Sequence, residues 1–203
     1  ISNKSILITG ESGIGKTILK KEILNRNNEK FKIFETACFN MEKDFSYLPW
    51  MNIIRDMENE LLKFNLKKPH LWDNILKNLF FDGANNIQPS TEILENKENF
   101  NVDLIYNSIY SALDILSKGK KIIIVFEDIQ WADQLSIKLL INLILHIHSN
   151  VLFILTKANN IDIGTDRLFL TLKDLNKILL IDLKPFSKRD IALIIKKNFS
   201  QKN

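Results

Sequence analysis

Eight consecutive residues constrain this chain more than any others. Gly10-Glu11-Ser12-Gly13-Ile14-Gly15-Lys16-Thr17 fit G-x-x-x-x-G-K-[ST] and hold three of the chain's six glycines. An apolar run, Ser5–Thr9, stands before them and a helix pattern, Lys16–Arg26, follows. That is the context in which such a loop binds phosphate. Glycines let the backbone curl until successive N–H groups face one anion, and the helix start adds its dipole. Lys16 is placed to reach β- and γ-phosphates, and the Thr17 hydroxyl to ligate Mg²⁺. Gly10, Glu11, Ser12, Gly13, Ile14, Gly15, Lys16, Thr17 and Ile18 are therefore the expected nucleotide contacts. At Glu11 and Ser12 the amides count for more than the side chains.

Such a loop needs an acidic partner at the end of another buried strand. Ile122-Ile123-Ile124-Val125-Phe126 runs into Glu127-Asp128. One carboxylate should hold Mg²⁺, in part through its water shell, and the other should polarise the attacking water. By position, Glu127 takes the metal and Asp128 the water, so Asp128, Glu127 and Lys16 are the expected catalytic groups. Adjacent strand residues point to opposite faces, so the strand must end or bend here for both to serve.

The rest of the chain alternates in the same way. Further strands are expected at Lys32–Ala37, Val151–Thr156 and Leu179–Leu183. Helices are expected at Tyr47–Phe64 and Leu104–Leu116. Asp133 is placed to cap another whose Leu135, Leu139, Leu140, Leu143, Ile144 and Ile147 are apolar on most sides, as in a buried helix. Alternating strands and helices predict an α/β fold with a parallel sheet covered on both faces. Asp82 to Phe100 is polar and Asn-rich and reads as a loop or insertion. Ser187, with Asp190 three residues on, opens a last helix, with Phe186 placed to staple onto Ile191.

The ten residues from Glu127 to Ser136 (Glu-Asp-Ile-Gln-Trp-Ala-Asp-Gln-Leu-Ser) resemble the extended Walker B of AAA-like ATPase modules in large bacterial regulators. Those modules belong to the signal-transduction ATPases with numerous domains. They occur in LuxR-family ATP-binding regulators, some adenylate cyclases and some sensor kinases. Thr36-Ala37-Cys38 with Tyr47-Leu48-Pro49-Trp50, the strand Val151–Thr156, and Leu183-Lys184-Pro185-Phe186-Ser187 resemble further parts of the family. The resemblance implies a P-loop NTPase with a five-stranded parallel sheet in order 2-3-4-1-5. It implies a core over 1–185 and a truncated helical lid beginning over 186–203. It also implies ATP and ADP with Mg²⁺ rather than GTP, since no N-K-x-D motif is present. The family usually ends its sensor strand in Thr-aromatic-Arg. Here Thr156-Lys157-Ala158 stand there, which leaves γ-phosphate sensing by Thr156 and Lys157 open.

The function so implied is a slowly hydrolysing, ATP-driven switch attached to other domains of one parent protein. A strand beginning so close to Ile1 reads as a domain cut from a longer chain. A P-loop small-molecule kinase would need an arginine-rich lid, whereas the only arginines are Arg26, Arg55, Arg167 and Arg189. Arg167 lies where such ATPases place a finger for a neighbour's nucleotide, which would require self-association, but an ordinary surface arginine also fits. A nucleotide-binding scaffold without hydrolysis is the other alternative. Net charge is +4, yet the lysines fall in scattered pairs (Lys20-Lys21, Lys67-Lys68, Lys120-Lys121, Lys196-Lys197). They read as a solvated surface and not as a nucleic-acid patch. Polar residues interrupt Leu139–Leu155, so no membrane span is expected. The single cysteine, Cys38, reads as a core thiol of a cytoplasmic protein. His70, His146 and His148 lack metal-site spacing, and Trp131 reads as an anchor for the turn after the acidic strand.

Overall fold

Strands that are apolar on both faces require helices on both faces. The computed structural model describes residues 5–27, 29–70, 72–76, 102–147, 150–159 and 163–199. The expected loop at 82–100 and His148 lie outside them. In chain order the elements are β1 (Ser5–Gly10), α1 (Lys16–Asn25), β2 (Phe31–Ala37), α2 (Leu48–Lys63), α3 (Trp72–Leu76) and α4 (Val102–Ser117). They continue with β3 (Lys121–Glu127), α5 (Gln134–His146), β4 (Val151–Ala158), α6 (Ile163–Asp174), β5 (Ile178–Asp182) and α7 (Lys188–Phe199).

The five strands form one sheet in the order β2-β3-β4-β1-β5, and every neighbouring pair is parallel. This is the α/β P-loop NTPase fold expected from the sequence. The register fixes where its loops meet. Ala37 pairs with Glu127, Phe126 with Leu155, Gly10 with Ala158, and Thr9 with Asp182. The carboxyl ends of all five strands therefore finish along one edge, where open α/β sheets bind ligands.

Alternation along β3 shows how both faces are filled. Ile122, Ile124 and Phe126 join the larger cluster with Trp50, Ile54, Met57, Ile109, Leu113, Leu139 and Leu143, from α2, α4 and α5. Ile123 and Val125 join the smaller one with Ile8, Ile154 and Leu24, beside Leu19 and Ile23 of α1. Glu127 continues the Ile123–Val125 register and so faces α1. Trp50 is fully buried, edge-on to Phe126 with centroids 4.9 Å apart, and its Nε1 donates to the Ser136 carbonyl.

Two helices carry no expectation from the sequence. α3 has five residues, and α6 lies between the strands expected at Val151–Thr156 and Leu179–Leu183. Each is held by a buried pair one turn apart, Trp72 with Ile75 and Phe169 with Leu172. The cap of α7 forms as the sequence suggests: Ser187 N–H donates to Asp190 Oδ2 at 2.9 Å, and Asp190 N–H to Ser187 Oγ at 3.2 Å. The expected staple of Phe186 onto Ile191 and the finger at Arg167 fall on side chains outside those described. Among the described residues no helix is long and apolar enough to cross a membrane.

Candidate functional site

The loop between β1 and α1 has its three glycines at positive φ. Gly15, at φ 110°, is the residue from which α1 starts. Gly10 is held by space as well: a Cβ there would lie 2.8 Å from Ile14 Cγ2 and 3.1 Å from the Leu183 carbonyl oxygen. Lys16 is buried, and its Nζ donates to the carbonyls of Gly10 at 3.0 Å and Glu11 at 2.9 Å. Those bonds hold the ammonium against the first two loop residues. Glu11 and Ser12 are exposed, and Ile18 is 74% exposed.

Thr17 and Glu127, 110 positions apart, come together. Thr17 Oγ1 donates to Glu127 Oε2 at 3.3 Å. A hydroxyl and a carboxylate converging from a helix start and a strand end suit Mg²⁺. That ion keeps most of its waters and needs only one or two protein groups beside phosphate oxygens. Among the described residues no cluster of three His, Cys, Asp or Glu side chains offers another metal site.

The demand that β3 end or bend between its two acids is met at Asp128, which is left-handed at φ 52°, ψ 48°. Such a conformation costs most residues free energy, and Asp is among those that tolerate it. Two side chains hold it, one of them anchored in turn to β4. Asp128 N–H donates to Thr156 Oγ1 at 3.0 Å. Gln130 Nε2 donates to Asp128 Oδ1 at 3.3 Å, and Gln130 Oε1 accepts from the Ala158 N–H at 3.1 Å. Thr156 thus bonds the acidic turn through its hydroxyl. Lys157 is buried, and its Nζ donates to the Ala158 carbonyl at 3.3 Å.

Asp133 is a joint. Its Oδ1 caps α5 by accepting from Ser136 N–H at 2.8 Å, and its Oδ2 accepts from Tyr47 N–H at 3.1 Å, where α2 begins. Trp131 packs part-buried on the larger core. Cys38 is buried beside the acidic turn; burial, with the charges of Asp133, Asp128 and Glu42, pushes its thiol up to about 12. His146 meets the Tyr106 ring edge-on.

Sequence reasoning missed Lys20 and Glu35, and the reading of Lys20-Lys21 as a solvated pair needs correction. Lys21 is exposed, but Lys20 is 2% exposed. Helical periodicity puts Lys16, Lys20 and Leu24 on one buried stripe facing the sheet. Lys20 Nζ bonds Glu127 Oε1 at 2.8 Å and also Glu35 Oε1. Burial opposes the charge of Lys20, but its bonds to Glu127 and Glu35 outweigh that and raise its pKa. Burial likewise opposes ionisation of Glu127; the Lys20 ammonium and the Thr17 hydroxyl bonded to it outweigh that and hold the carboxyl below its ordinary range. The legible signals were the i, i+4 spacing of Lys20 to Lys16 and a lone acid inside β2.

Comparison with solved structures finds three similar chains among others. The ORC1 protein of Aeropyrum pernix in complex with DNA matches at a TM-score of 0.50 and 12% identity, over 98% of this chain and 44% of its own. The A. pernix ORC2 protein in its ADPNP-ADP complexes matches at 0.49 and 12%, over 98% and 46%. Drosophila ORC bound to AT-rich DNA and Cdc6 matches at 0.48 and 13%, over 99% and 58%. The chain spans roughly half the length of these proteins, and at 12% identity the likeness to the ORC1 protein is one of fold alone. A search of curated proteins finds no match. A sequence model of the AAA ATPase domain matches residues 2–154, from ahead of the phosphate loop to past the acidic turn. The chain belongs to the AAA ATPase domain family.

Proposed function

We propose that this domain binds ATP with Mg²⁺, hydrolyses it slowly, and relays the nucleotide state to other domains of a larger regulatory protein. The observation that carries the reading is the meeting of Thr17 with Glu127 beside a loop whose glycines are all at positive φ. The amides of Gly10 to Thr17 would cradle the phosphates, with Lys16 exchanging two loop carbonyls for phosphate oxygens. Thr17 and Glu127 would hold Mg²⁺, which supplies charge neutralisation at the phosphates. Asp128, fixed by Gln130 and the Thr156 hydroxyl, would orient the attacking water and take its proton. Lys157 and Thr156 would link that turn to the strand beside the loop.

Residues 1–185 would form the nucleotide core and 186–203 the start of its lid. The resemblance to signal-transduction ATPases supports a regulatory, cytoplasmic role with flanking domains as partners. Self-association would come through neighbouring copies of the core.

Thermal melting tests the binding half. A ligand at about 100 times its Kd adds about 2.7 kcal/mol, a rise of roughly 5–10 °C for a domain of this size. ATP·Mg²⁺ should raise the melting temperature of the wild type and leave Lys16→Ala unmoved; no rise in the wild type refutes the reading. For the hydrolytic half, Asp128→Asn should keep the shift while turnover falls about 100-fold or more. Wild-type turnover in that variant would move the base elsewhere.

A further inference from the structure

We propose that Lys20 is a built-in counter-ion of Glu127, metered by Glu35, and that this triad sets how strongly the Thr17–Glu127 pair takes Mg²⁺ with nucleotide. The inference rests on the metal reading above and adds two positioning residues to it.

Both oxygens of Glu127 are engaged: Oε2 by the Thr17 hydroxyl, and Oε1 by the Lys20 ammonium at 2.8 Å. A hydroxyl accompanies a metal ion easily, whereas an ammonium competes with the ion and its waters for the same lone pairs. Lys20 cannot swing out at no cost, because it is 2% exposed and sits on the buried stripe of α1 between Lys16 and Leu24. Leaving so buried an ammonium without a partner would be unfavourable. Glu35 resolves the conflict. It projects from β2 at the register of Val125, on the face that Glu127 also uses, and bonds the same Nζ. With Glu35 present the ammonium keeps a partner when Glu127 turns to the metal. Stability alone is a poor reason for the pair, since replacing a buried ion pair by apolar residues is often neutral or favourable.

The formal charge of Lys20, Glu35 and Glu127 together is −1, and the variants move it in opposite directions. Lys20→Met takes it to −2, Glu35→Gln to 0, and the double variant returns it to −1. The readout is the Mg²⁺ concentration that half-saturates equilibrium binding of a fluorescent ATP analogue to the full chain, with no turnover needed. Lys20→Met should lower that concentration and Glu35→Gln should raise it, each on the order of tenfold for one unit charge at contact distance. The double variant should fall back to within about threefold of wild type, and Lys20→Arg should stay near wild type.

A merely structural role predicts something else: both single variants shift the same way, and the double is no better than the worse of them. That result overturns the proposal. Should Lys20→Met fail to fold, Glu35→Gln alone decides, because an unchanged or lowered Mg²⁺ requirement contradicts metering by Glu35. A wild type whose nucleotide affinity ignores Mg²⁺ would instead sink the Thr17–Glu127 metal reading, which separates the two failures.

Discussion

The two halves of the site are built by different means. The phosphate loop is a backbone device: three glycines at positive φ, a lysine bonded to main-chain carbonyls, and a helix start. Its parts lie within eight residues, and little in it depends on a distant side chain. The acidic end of β3 is a side-chain device. Glu127 is held by Thr17 and Lys20, and Asp128 by Thr156 and Gln130, with Gln130 tied in turn to the end of β4. A backbone device fails by strain or collision at one residue, whereas a network loses its members singly and in smaller steps. The two halves should therefore respond differently to substitution.

The largest effect is expected in the loop. Gly10→Ala places a methyl against Ile14 and the Leu183 carbonyl at a φ of 153°. Strain and overpacking together should cost about 2–4 kcal/mol. Displacement of the loop amides should weaken ATP binding by roughly 100-fold, since misplacement by about 1 Å has that scale of effect. Gly15→Ala separates the two causes, because nothing lies within 4 Å of its Cβ and only the backbone conformation is strained. A smaller loss of stability at Gly15 than at Gly10, measured by denaturant melts, supports the division. Near-normal ATP affinity in Gly10→Ala would remove the claim that the loop works through its backbone.

The next step down is Asp133, which belongs to neither half and joins the acidic turn to α2 and α5. Asp133→Ala removes a helix cap, worth about 1 kcal/mol. It also leaves the Tyr47 N–H without its acceptor, at about 1–3 kcal/mol. Thermal melts should show a loss of about 2–4 kcal/mol, with Asp133→Asn near half of that. ATP affinity below the melting transition should stay within about threefold of wild type. A large affinity loss in a folded Asp133→Ala would mean that the frame and the loop are coupled.

The same contrast explains what the sequence disclosed. Every part of the loop is contiguous, so its glycine spacing and flanking apolar run were readable directly. The three inner strands β1, β3 and β4 were readable because each is an apolar run that packs on both faces. Asp133 was readable as a cap because its partner, Ser136, is three residues away. Glu35 and Lys20 were not, because their meaning arises only when α1 lies across β2 and β3, bringing residues 15 and 107 positions apart into contact. The hold of Thr156 on Asp128 was hidden for the same reason: its partner is 28 positions away, across a sheet neighbour. α6 was hidden because Phe169 and Leu172 form one buried turn, too short a stripe to distinguish from loop.

The smallest and most informative effect is expected at Gln130, where the network predicts a loss of turnover out of proportion to the loss of stability. Gln130→Leu removes the acceptor of the Ala158 N–H, a buried group, at a cost of about 1–3 kcal/mol. It also releases Asp128 Oδ1 from its one side-chain amide donor. ATP binding should change by less than about twofold, since the side-chain hydrogen bonds of Gln130 go to Asp128 and Ala158 and not to the phosphate loop, while turnover should fall by roughly tenfold as Asp128 loses its fixed orientation. Gln130→Glu sharpens the case, because it keeps an acceptor for Ala158 and sets a like charge against Asp128. It should be closer to wild type than Gln130→Leu in stability yet no better in turnover. If turnover instead tracks stability across the two variants, Asp128 is held by its backbone bonds alone, and the acidic half is a simpler device than its side-chain hydrogen bonds suggest.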